Sequence, residues 1–238
     1  MISFVVPAHN EERLLGGTLT AIAVATQKLG EPFEIVVADD ASTDRTAAIA
    51  REHGARVVAV DCRQIAGARN AGAKQAHGDM LFFVDADTKI TELVVRAALA
   101  AMRGGAVGGG CAFRFDGRLP AYGRIMEAVA VRFYRAAGLA SGCFLFCTRD
   151  AFRAAGGWDE TLFAAEELAM TRALRRRGRF VVLRESVVTS GRKLRAHSGR
   201  EVLGTLVRLA VRGRGSVRRR EGLEVWYGER RPDPADDG

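Results

Sequence analysis

Two carboxylates stand one residue apart directly after a short apolar run, in the segment Asp85-Ala86-Asp87. If the run 80–84 is a β-strand, alternation directs Asp85 and Asp87 to one side and returns Ala86 to the interior. Hard divalent cations such as Mg²⁺ take oxygen ligands of this type, commonly one or two carboxylates together with substrate phosphates. The alternative is an acidic turn that caps the next helix, since D-x-D also occurs by chance.

A second acidic segment, residues 39–44, follows another apolar run. Ser42 or Thr43 is expected to cap a helix that runs through His53, and capping needs no carboxylates further upstream. Asp39 can instead accept N–H groups of a nucleobase or the hydroxyls of a ribose. The chain has neither the G-x-G-x-x-G pattern of nicotinamide-binding folds after its first strand nor a P-loop pattern.

A basic segment at residues 189–197 is the third candidate for chemistry. Arg192 or Lys193 can compensate the charge of a pyrophosphate as that group leaves, and His197 can serve as a further metal ligand. The alternative is a solvated basic loop.

Apolar runs alternate with helical patterns over the first hundred residues, and these elements must position the acidic segments. The predicted strands are 2–6, 33–38, 55–60 and 80–84, with helices around 14–23, from 42 or 43 to 53, and over 66–77. Strands that are apolar throughout and separated by helices predict a parallel sheet covered on both faces. Ligands of such sheets bind beyond the carboxyl ends of the strands, where the acidic segments lie.

The rhythm loosens after residue 100, where we expect a mixture of strands and amphipathic helices. The predicted elements are a strand ending at 115, helices 122–137, 149–155 and 166–177, strands 142–148 and 180–183, and C-terminal amphipathic helices 201–211 and 216–227. In the first C-terminal helix, apolar residues share a face and arginines supply charge. Such a helix can lie on an anionic membrane surface. The alternative is that its apolar face packs on the rest of the chain.

The net charge of +8 belongs to the C-terminal part of the chain. Residues 172–238 carry 18 basic and 8 acidic side chains, whereas residues 1–171 carry 18 and 20. Nucleic acid is not an expected partner, because neither interleaved aromatic residues nor a nucleic-acid motif accompanies this charge. The sequence shows no secretory signal and no apolar run long enough to span a bilayer. We therefore expect a cytoplasmic protein, peripheral at the inner face of the membrane if the helix binds lipid.

Five segments, taken in order, resemble family 2 glycosyltransferases. They are Val5-Val6-Pro7-Ala8-His9-Asn10-Glu11-Glu12, Val37-Ala38-Asp39-Asp40-Ala41-Ser42-Thr43-Asp44, Ala68-Arg69-Asn70-Ala71-Gly72, Phe83-Val84-Asp85-Ala86-Asp87-Thr88 and Gly156-Gly157-Trp158-Asp159-Glu160. The resemblance implies an α/β fold of GT-A type, a Rossmann-like and mostly parallel sheet flanked by helices. We expect this domain over residues 1–198, a basic amphipathic helical extension over 199–231 and an acidic tail over 232–238.

The resemblance also implies the reaction, a metal-dependent transfer with inversion from a nucleoside-diphosphate sugar to an acceptor hydroxyl. The donor is a UDP- or GDP-sugar, the metal is Mg²⁺ or Mn²⁺, and Asp87 matches the principal metal ligand. Asp39 matches the acid that contacts the base, and Arg69 lies near the base and the phosphates. With the two basic candidates above, the residues expected to bind the nucleotide sugar are Pro7, Ala8, Glu11, Asp39, Arg69, Asp85, Arg192 and Lys193.

The general base is expected in the pair Glu166-Glu167, where the family usually has Glu-Asp and uses the second acid. Adjacent residues of a helix point about 100° apart, so only one of the two can face an acceptor. We predict Glu167, with Glu166 as the alternative. The departure from Asp keeps open a non-catalytic interpretation, a nucleotide-sugar-binding or membrane-associated scaffold protein. A sugar-nucleotide nucleotidyltransferase would need a glycine-rich loop after the first strand, which residues 9–12 do not provide.

Overall fold

One sheet flanked by helices forms the body of the computed structural model, which describes residues 1–212, 217–223, 227–228, 231 and 233–234, without the side chains of 206 and 208–212. The strands are β1 (Ile2–Ala8), β2 (Phe33–Asp40), β3 (Arg56–Val60), β4 (Met80–Val84), β5 (Thr88–Lys89), β6 (Gly108–Phe115), β7 (Phe144–Thr148) and β8 (Phe180–Thr189). The helices are α1 (Leu15–Gln27), α2 (Thr46–Glu52), α3 (Ile65–Gln75), α4 (Glu92–Arg103), α5 (Ala121–Ala137), α6 (Arg149–Ala155), α7 (Glu166–Arg175), α8 (Arg192–Ala196) and α9 (Gly199–Arg212). The strand order is β3-β2-β1-β4-β7-β6-β8-β5.

The half of the sheet built by β1 to β4 is parallel, as the sequence predicts. β1 pairs in parallel with β2 and β4, and β2 pairs in parallel with β3. Every residue of β1 is buried, which explains its unbroken apolar run. The carboxyl ends of β1, β2 and β4 therefore meet at one edge of the sheet, and the acidic segments begin there.

The other half of the same sheet is mixed. β7 is antiparallel to both β4 and β6, while β8 runs parallel to β6. The short strand β5 pairs with the end of β8, and the backbone N–H of Ser190 donates to the carbonyl of Asp87 at 3.1 Å. This pairing carries the basic segment after β8 across the end of β4.

Aromatic side chains fill the core on both faces of the sheet. On one face the ring of Phe82 lies 5.1 Å from that of Phe4 and 5.9 Å from that of Phe146. On the other face Phe83 meets Trp158 edge to face at 5.2 Å. Full burial of one such side chain contributes about 1.5–3 kcal/mol. Helix α3 packs so closely on this face that a Cβ at Gly72 would lie 2.5 Å from a methyl group of Val5.

Several predicted elements need correction. Helix α2 begins at Thr46, and the predicted cap is wrong because Asp44 accepts the N–H of Thr46 while Ser42 accepts that of Asn10. The basic segment 189–197 contains a short helix, α8, rather than the loop of the alternative interpretation. Strand β8 extends beyond its predicted end because β6 pairs with it as far as Thr189 and β5 pairs with its last two residues. The elements α4 and β5 were not predicted.

The first C-terminal helix is confirmed as α9, whereas the second is only partly within the described residues. Residues 217–223 form a short 3₁₀ turn followed by turns, whereas Tyr227, the last residue of the predicted helix, is helical and its N–H donates to the carbonyl of Leu223 at 2.9 Å. Gly222 has a φ of 87°, which ends any helical path there. Among the described residues, no helix has the length and apolar character needed to cross a bilayer.

Candidate active site

The D-x-D segment continues directly from β4 and forms a tight turn at the open edge of the sheet. The N–H of Asp85 donates to the carbonyl of Cys143 at 3.1 Å, and the N–H of Thr88 donates to the carbonyl of Asp85 at 3.0 Å. Ala86 is buried, as alternation predicts. The two carboxylates pair with different arginines. Asp85 accepts a hydrogen bond from Arg69 at 2.8 Å, and Asp87 accepts one from Arg192 at 3.3 Å.

Arg69, on α3, lies at the centre of a buried network. Its side chain is 1% exposed and donates to Asp85, to Glu166 at 3.1 Å and to the carbonyl of Gly142 at 2.6 Å. Its guanidinium carbon lies 4.4 Å from the ring centroid of Trp158. A cation in this position holds the end of β4 and the start of α7 together. Its predicted contact with the base and phosphates stays a prediction.

The two candidate bases in the first turn of α7 have different environments. Glu166 is buried and forms the ion pair with Arg69. Glu167 accepts a hydrogen bond from the hydroxyl of Tyr134 at 3.1 Å and lies against Gly142. Burial and the neighbouring charge of Glu166 raise the pKa of Glu167 to about 7. A carboxylate with this pKa accepts protons effectively near neutral pH.

Tyr134, on α5, is a site residue that the sequence analysis missed. Burial and the charge of Glu167 raise the pKa of its hydroxyl far above the ordinary range, so it remains a donor. Its ring packs edge to face on Phe113 at 6.2 Å. Tyr134 follows Ile125 by nine residues and so lies on the opposite side of the helix. The available signal in the sequence was a tyrosine on the side of the helix opposite the apolar Ile125. Its partner, Glu167, is 33 residues away in the chain, so the signal could not identify the contact.

Asp39 and Asp40, at the end of β2, serve different purposes. Asp40 accepts the backbone N–H groups of Cys62, Arg63 and Gln64 at 2.8, 2.8 and 2.9 Å, which is a structural role at the start of α3. Asp39 is buried, and no donor among the described residues reaches its Oδ1. A buried carboxylate oxygen without a partner is costly, so this atom points to a ligand.

The predicted nucleotide-binding residues of β1 adjoin Asp39. Pro7 and Ala8 pair in register with Ala38 and Asp39 at the carboxyl edge of the sheet. Glu11, beyond them, is buried and accepts a hydrogen bond from Arg192 at 2.5 Å. The described structure thus brings the predicted base-binding residues and the D-x-D segment to one edge.

The basic segment supplies positive charge to the acidic edge. Arg192 links Glu11 to Asp87 from the start of α8. The charge of Lys193 acts on Asp85 and opposes the rise that burial causes in the pKa of that carboxyl group. The predicted concentration of cations beside the carboxylates is therefore present.

His197 does not join the carboxylates in a metal cluster. It ends α8, and burial and the charge of Arg231 lower its pKa. The described residues contain no group of three His, Cys, Asp or Glu side chains that could hold a metal ion. Asp87 and Asp85 still fit Mg²⁺ or Mn²⁺, because they offer hard oxygen donors and Asp87 pairs with a cation here. The prediction of a metal ligand at His197 gains no support from this arrangement.

Residues 3–153 match the family model described as Glycosyl transferase family 2, so the chain belongs to this family. Validoxylamine A glucosyltransferase from Streptomyces hygroscopicus subsp. jinggangensis is 36% identical over 129 residues, covering 50% of this chain and 30% of that protein. Undecaprenyl-phosphate 4-deoxy-4-formamido-L-arabinose transferase from Pseudomonas paraeruginosa is 40% identical over 110 residues, covering 41% and 32%. The chain thus spans about a third of the length of these relatives.

Solved structures show the same fold. A mannosyltransferase from Pyrobaculum calidifontis in complex with GDP-Man and Mn²⁺ has a TM-score of 0.67 and 20% identity, covering 89% of this chain and 64% of that chain. Glucosyl-3-phosphoglycerate synthase from Mycobacterium tuberculosis, in complex with Mn²⁺, UDP and glucosyl-3-phosphoglycerate, has a TM-score of 0.58 and 22% identity, covering 89% and 77%. The predicted GT-A fold is confirmed.

Proposed function

We propose that this glycosyltransferase moves a sugar from a UDP- or GDP-sugar to an acceptor hydroxyl with inversion, and that it uses Mg²⁺ or Mn²⁺. The observation that carries the proposal is that Arg69 pairs with both Asp85 of the D-x-D segment and Glu166, the neighbour of Glu167. These ion pairs hold the first turn of α7, and with it the carboxylate of raised pKa, beside the D-x-D segment. Single displacement needs such a base on the acceptor side and charge compensation on the donor side.

The donor binds at the carboxyl edge of β1 and β2 in this proposal. Pro7 and Ala8 form the floor for base and ribose, and Asp39 accepts an N–H group of the base at its free Oδ1. Complexes of structural relatives with UDP or GDP-Man support a nucleotide sugar as the donor class. Exchange of an unpaired buried oxygen for a hydrogen-bonded one contributes about 1–3 kcal/mol to binding.

The diphosphate then lies beside Asp87. Asp87, with Asp85 next to it, would hold the divalent ion, which when bound neutralises charge on the diphosphate and improves the leaving group. Arg192 and Lys193 add further positive charge at the same place. His197 is left outside this ligand set.

Glu167 removes the proton from the attacking acceptor hydroxyl. Tyr134 acts as a positioning residue, because its donated hydrogen bond fixes one carboxylate oxygen and leaves the other for the acceptor. Arg69 holds Glu166 away from this task by pairing with it. The two glutamates thus divide between structure and catalysis.

Nucleotide binding tests the donor site directly. Ligands that bind only the folded state raise the melting temperature, so UDP and GDP should be screened with and without Mn²⁺. We expect one nucleotide to stabilise the wild type in a Mn²⁺-dependent manner, and Asp39→Asn to weaken that effect. An equal rise in melting temperature in the wild type and in Asp39→Asn would contradict the placement of the nucleobase at Asp39. Binding without any turnover would favour the non-catalytic interpretation.

A membrane contact through α9 is a second part of the proposal. Leu203 and Val207 are 59% and 50% exposed, whereas Val202 and Thr205 are buried. The predicted apolar face therefore does not pack on the domain at these two positions, which supports an anionic membrane surface as partner and a location at the inner face of the membrane. The Pseudomonas relative is named for a lipid phosphate, which fits such a location.

A further inference from the structure

Helix α5 presents its apolar side outward. Ile125, Val129 and Phe133 recur at every fourth position and are 65%, 62% and 57% exposed. A helix of a globular domain normally buries such a stripe. We call these three residues the outer face of α5. Exposed apolar side chains are ordinary when they are scattered, whereas three in a row on one helix mark a contact surface.

The inward side of the same helix packs Ala130 and the ring of Tyr134 on the core and makes two polar contacts. Tyr134 reaches Glu167, and Glu127 accepts the backbone N–H of Phe115 at 3.2 Å. The inward side therefore holds Tyr134 against Glu167, while the three large apolar residues of the helix stay outside.

The charged residues of α5 that flank the outer face are all positive. Arg124, Arg132 and Arg135 are exposed, and the one acidic residue of α5, Glu127, lies inward. On a helical wheel Arg132 lies about 20° from Ile125 and Arg135 about 80° from it, along one border of the stripe. Apolar side chains bordered by arginines match the apolar boundary and the anionic headgroups of a lipid bilayer.

A second copy of this chain fits the outer face less well. In a twofold contact the same patch meets itself, so the arginines of one copy would approach those of the other without a carboxylate from α5 to pair with. An anionic lipid surface is complementary to both features, because it offers an apolar boundary to the stripe and negative headgroups to the arginines.

We propose that the outer face of α5 docks on an anionic lipid bilayer. The outer face of α5 and the contact of Tyr134 with Glu167 lie on opposite sides of one helix, which is about 10 Å thick. A membrane docked on the outer face would therefore lie close to the site. This inference rests on the proposed function in one respect, namely that Glu167 on the inward side of α5 faces the acceptor. Helix α9 starts beside α5, where a Cβ on Gly199 would lie 3.1 Å from the ring of Tyr122, so the two helices can contact lipid together.

Vesicle co-sedimentation of the full chain tests the proposal. The vesicles are phosphatidylcholine alone, or phosphatidylcholine mixed with phosphatidylglycerol. The variant Val129→Ser/Phe133→Ser removes two exposed apolar groups, so its fold should be unchanged. The control Leu93→Ser alters a residue that is 65% exposed on α4, outside this face. Leu203→Ser measures the separate share of α9.

We expect binding to the phosphatidylglycerol vesicles that weakens with added salt, falls about tenfold or more in Val129→Ser/Phe133→Ser and is kept by Leu93→Ser. Three outcomes would overturn the proposal: no binding by the wild type, equal binding by the α5 variant, or a wild-type dimer that this variant makes monomeric. Nucleotide binding, measured without lipid, should be identical in all variants. Its absence in the wild type would contradict the proposed function instead, while the vesicle result would still decide on α5.

Discussion

Replacement of Glu167 by Gln removes the proposed base while keeping the size of the side chain. The amide oxygen can still accept the hydroxyl of Tyr134, so the local packing should persist. A general base typically contributes 10²–10⁴-fold to turnover, and we expect a loss in about that range with nucleotide affinity close to wild type. Glu166→Gln, the matched control, should lose much less turnover.

The same substitution should stabilise the protein, and the pKa gives the magnitude. Folding raises the pKa of Glu167 from 4.5 to about 7, so between these values the unfolded chain binds fewer protons than the folded protein. The free energy of unfolding of the wild type therefore falls as pH rises through this window, by up to about 3 kcal/mol. Gln does not ionise and escapes this loss.

Urea unfolding of both proteins measures this difference. At about pH 8.5 the free energy of unfolding of Glu167→Gln should exceed that of the wild type by as much as about 3 kcal/mol, and the gap should shrink towards pH 4. A variant that is less stable than wild type at pH 8.5 would refute the assignment of a buried, costly charge to Glu167. Near-normal turnover in Glu167→Gln, with a larger loss in Glu166→Gln, would refute its role as base.

Three further substitutions test the candidate active site. Tyr134→Phe removes a hydrogen bond to the carboxylate, so the rising limb of turnover against pH should move up by roughly one pH unit, whereas a purely structural role would leave it in place. Asp87→Ala should abolish turnover and the Mn²⁺ dependence of nucleotide binding, as calorimetry would show, with little loss of stability; near-normal activity with chelator present would contradict the metal site. Arg69→Met leaves Asp85 and a buried glutamate without their cation and should cost about 3–5 kcal/mol in urea unfolding; a loss below 1 kcal/mol would contradict the buried network.

The sequence predicts the parallel half of the fold well because its central strands, β1 and β4, are almost entirely buried. The apolar runs that form β1 and β4 are bounded by polar turns, and β1 pairs in parallel with both β2 and β4. The short strand β5 has only two residues, and its pairing with β8 is a long-range contact that no local pattern announces. The predicted cap at Ser42 or Thr43 failed because Ser42 pairs with Asn10, 32 residues earlier.

The candidate site was predictable where residues follow strand ends and less so where it depends on packing. Asp39 and Asp85 were placed by the rule for parallel sheets, and Ala86 was buried as expected. Periodicity identified α5 as amphipathic but could not say that its apolar side faces outward. The contact between Tyr134 and Glu167 joins two helices through the tertiary fold, so spacing alone could not reveal it.

The release of nucleoside diphosphate from a nucleotide sugar tests the central claim most directly. The full chain should be incubated with UDP- and GDP-sugars, with Mn²⁺ or with a chelator, while the free diphosphate is measured and nucleotide binding is followed in parallel. We predict that one donor releases its diphosphate in the presence of Mn²⁺ and that the chelator stops this release. A donor that binds in a Mn²⁺-dependent manner yet releases no diphosphate with any acceptor hydroxyl supplied would contradict catalysis by this site.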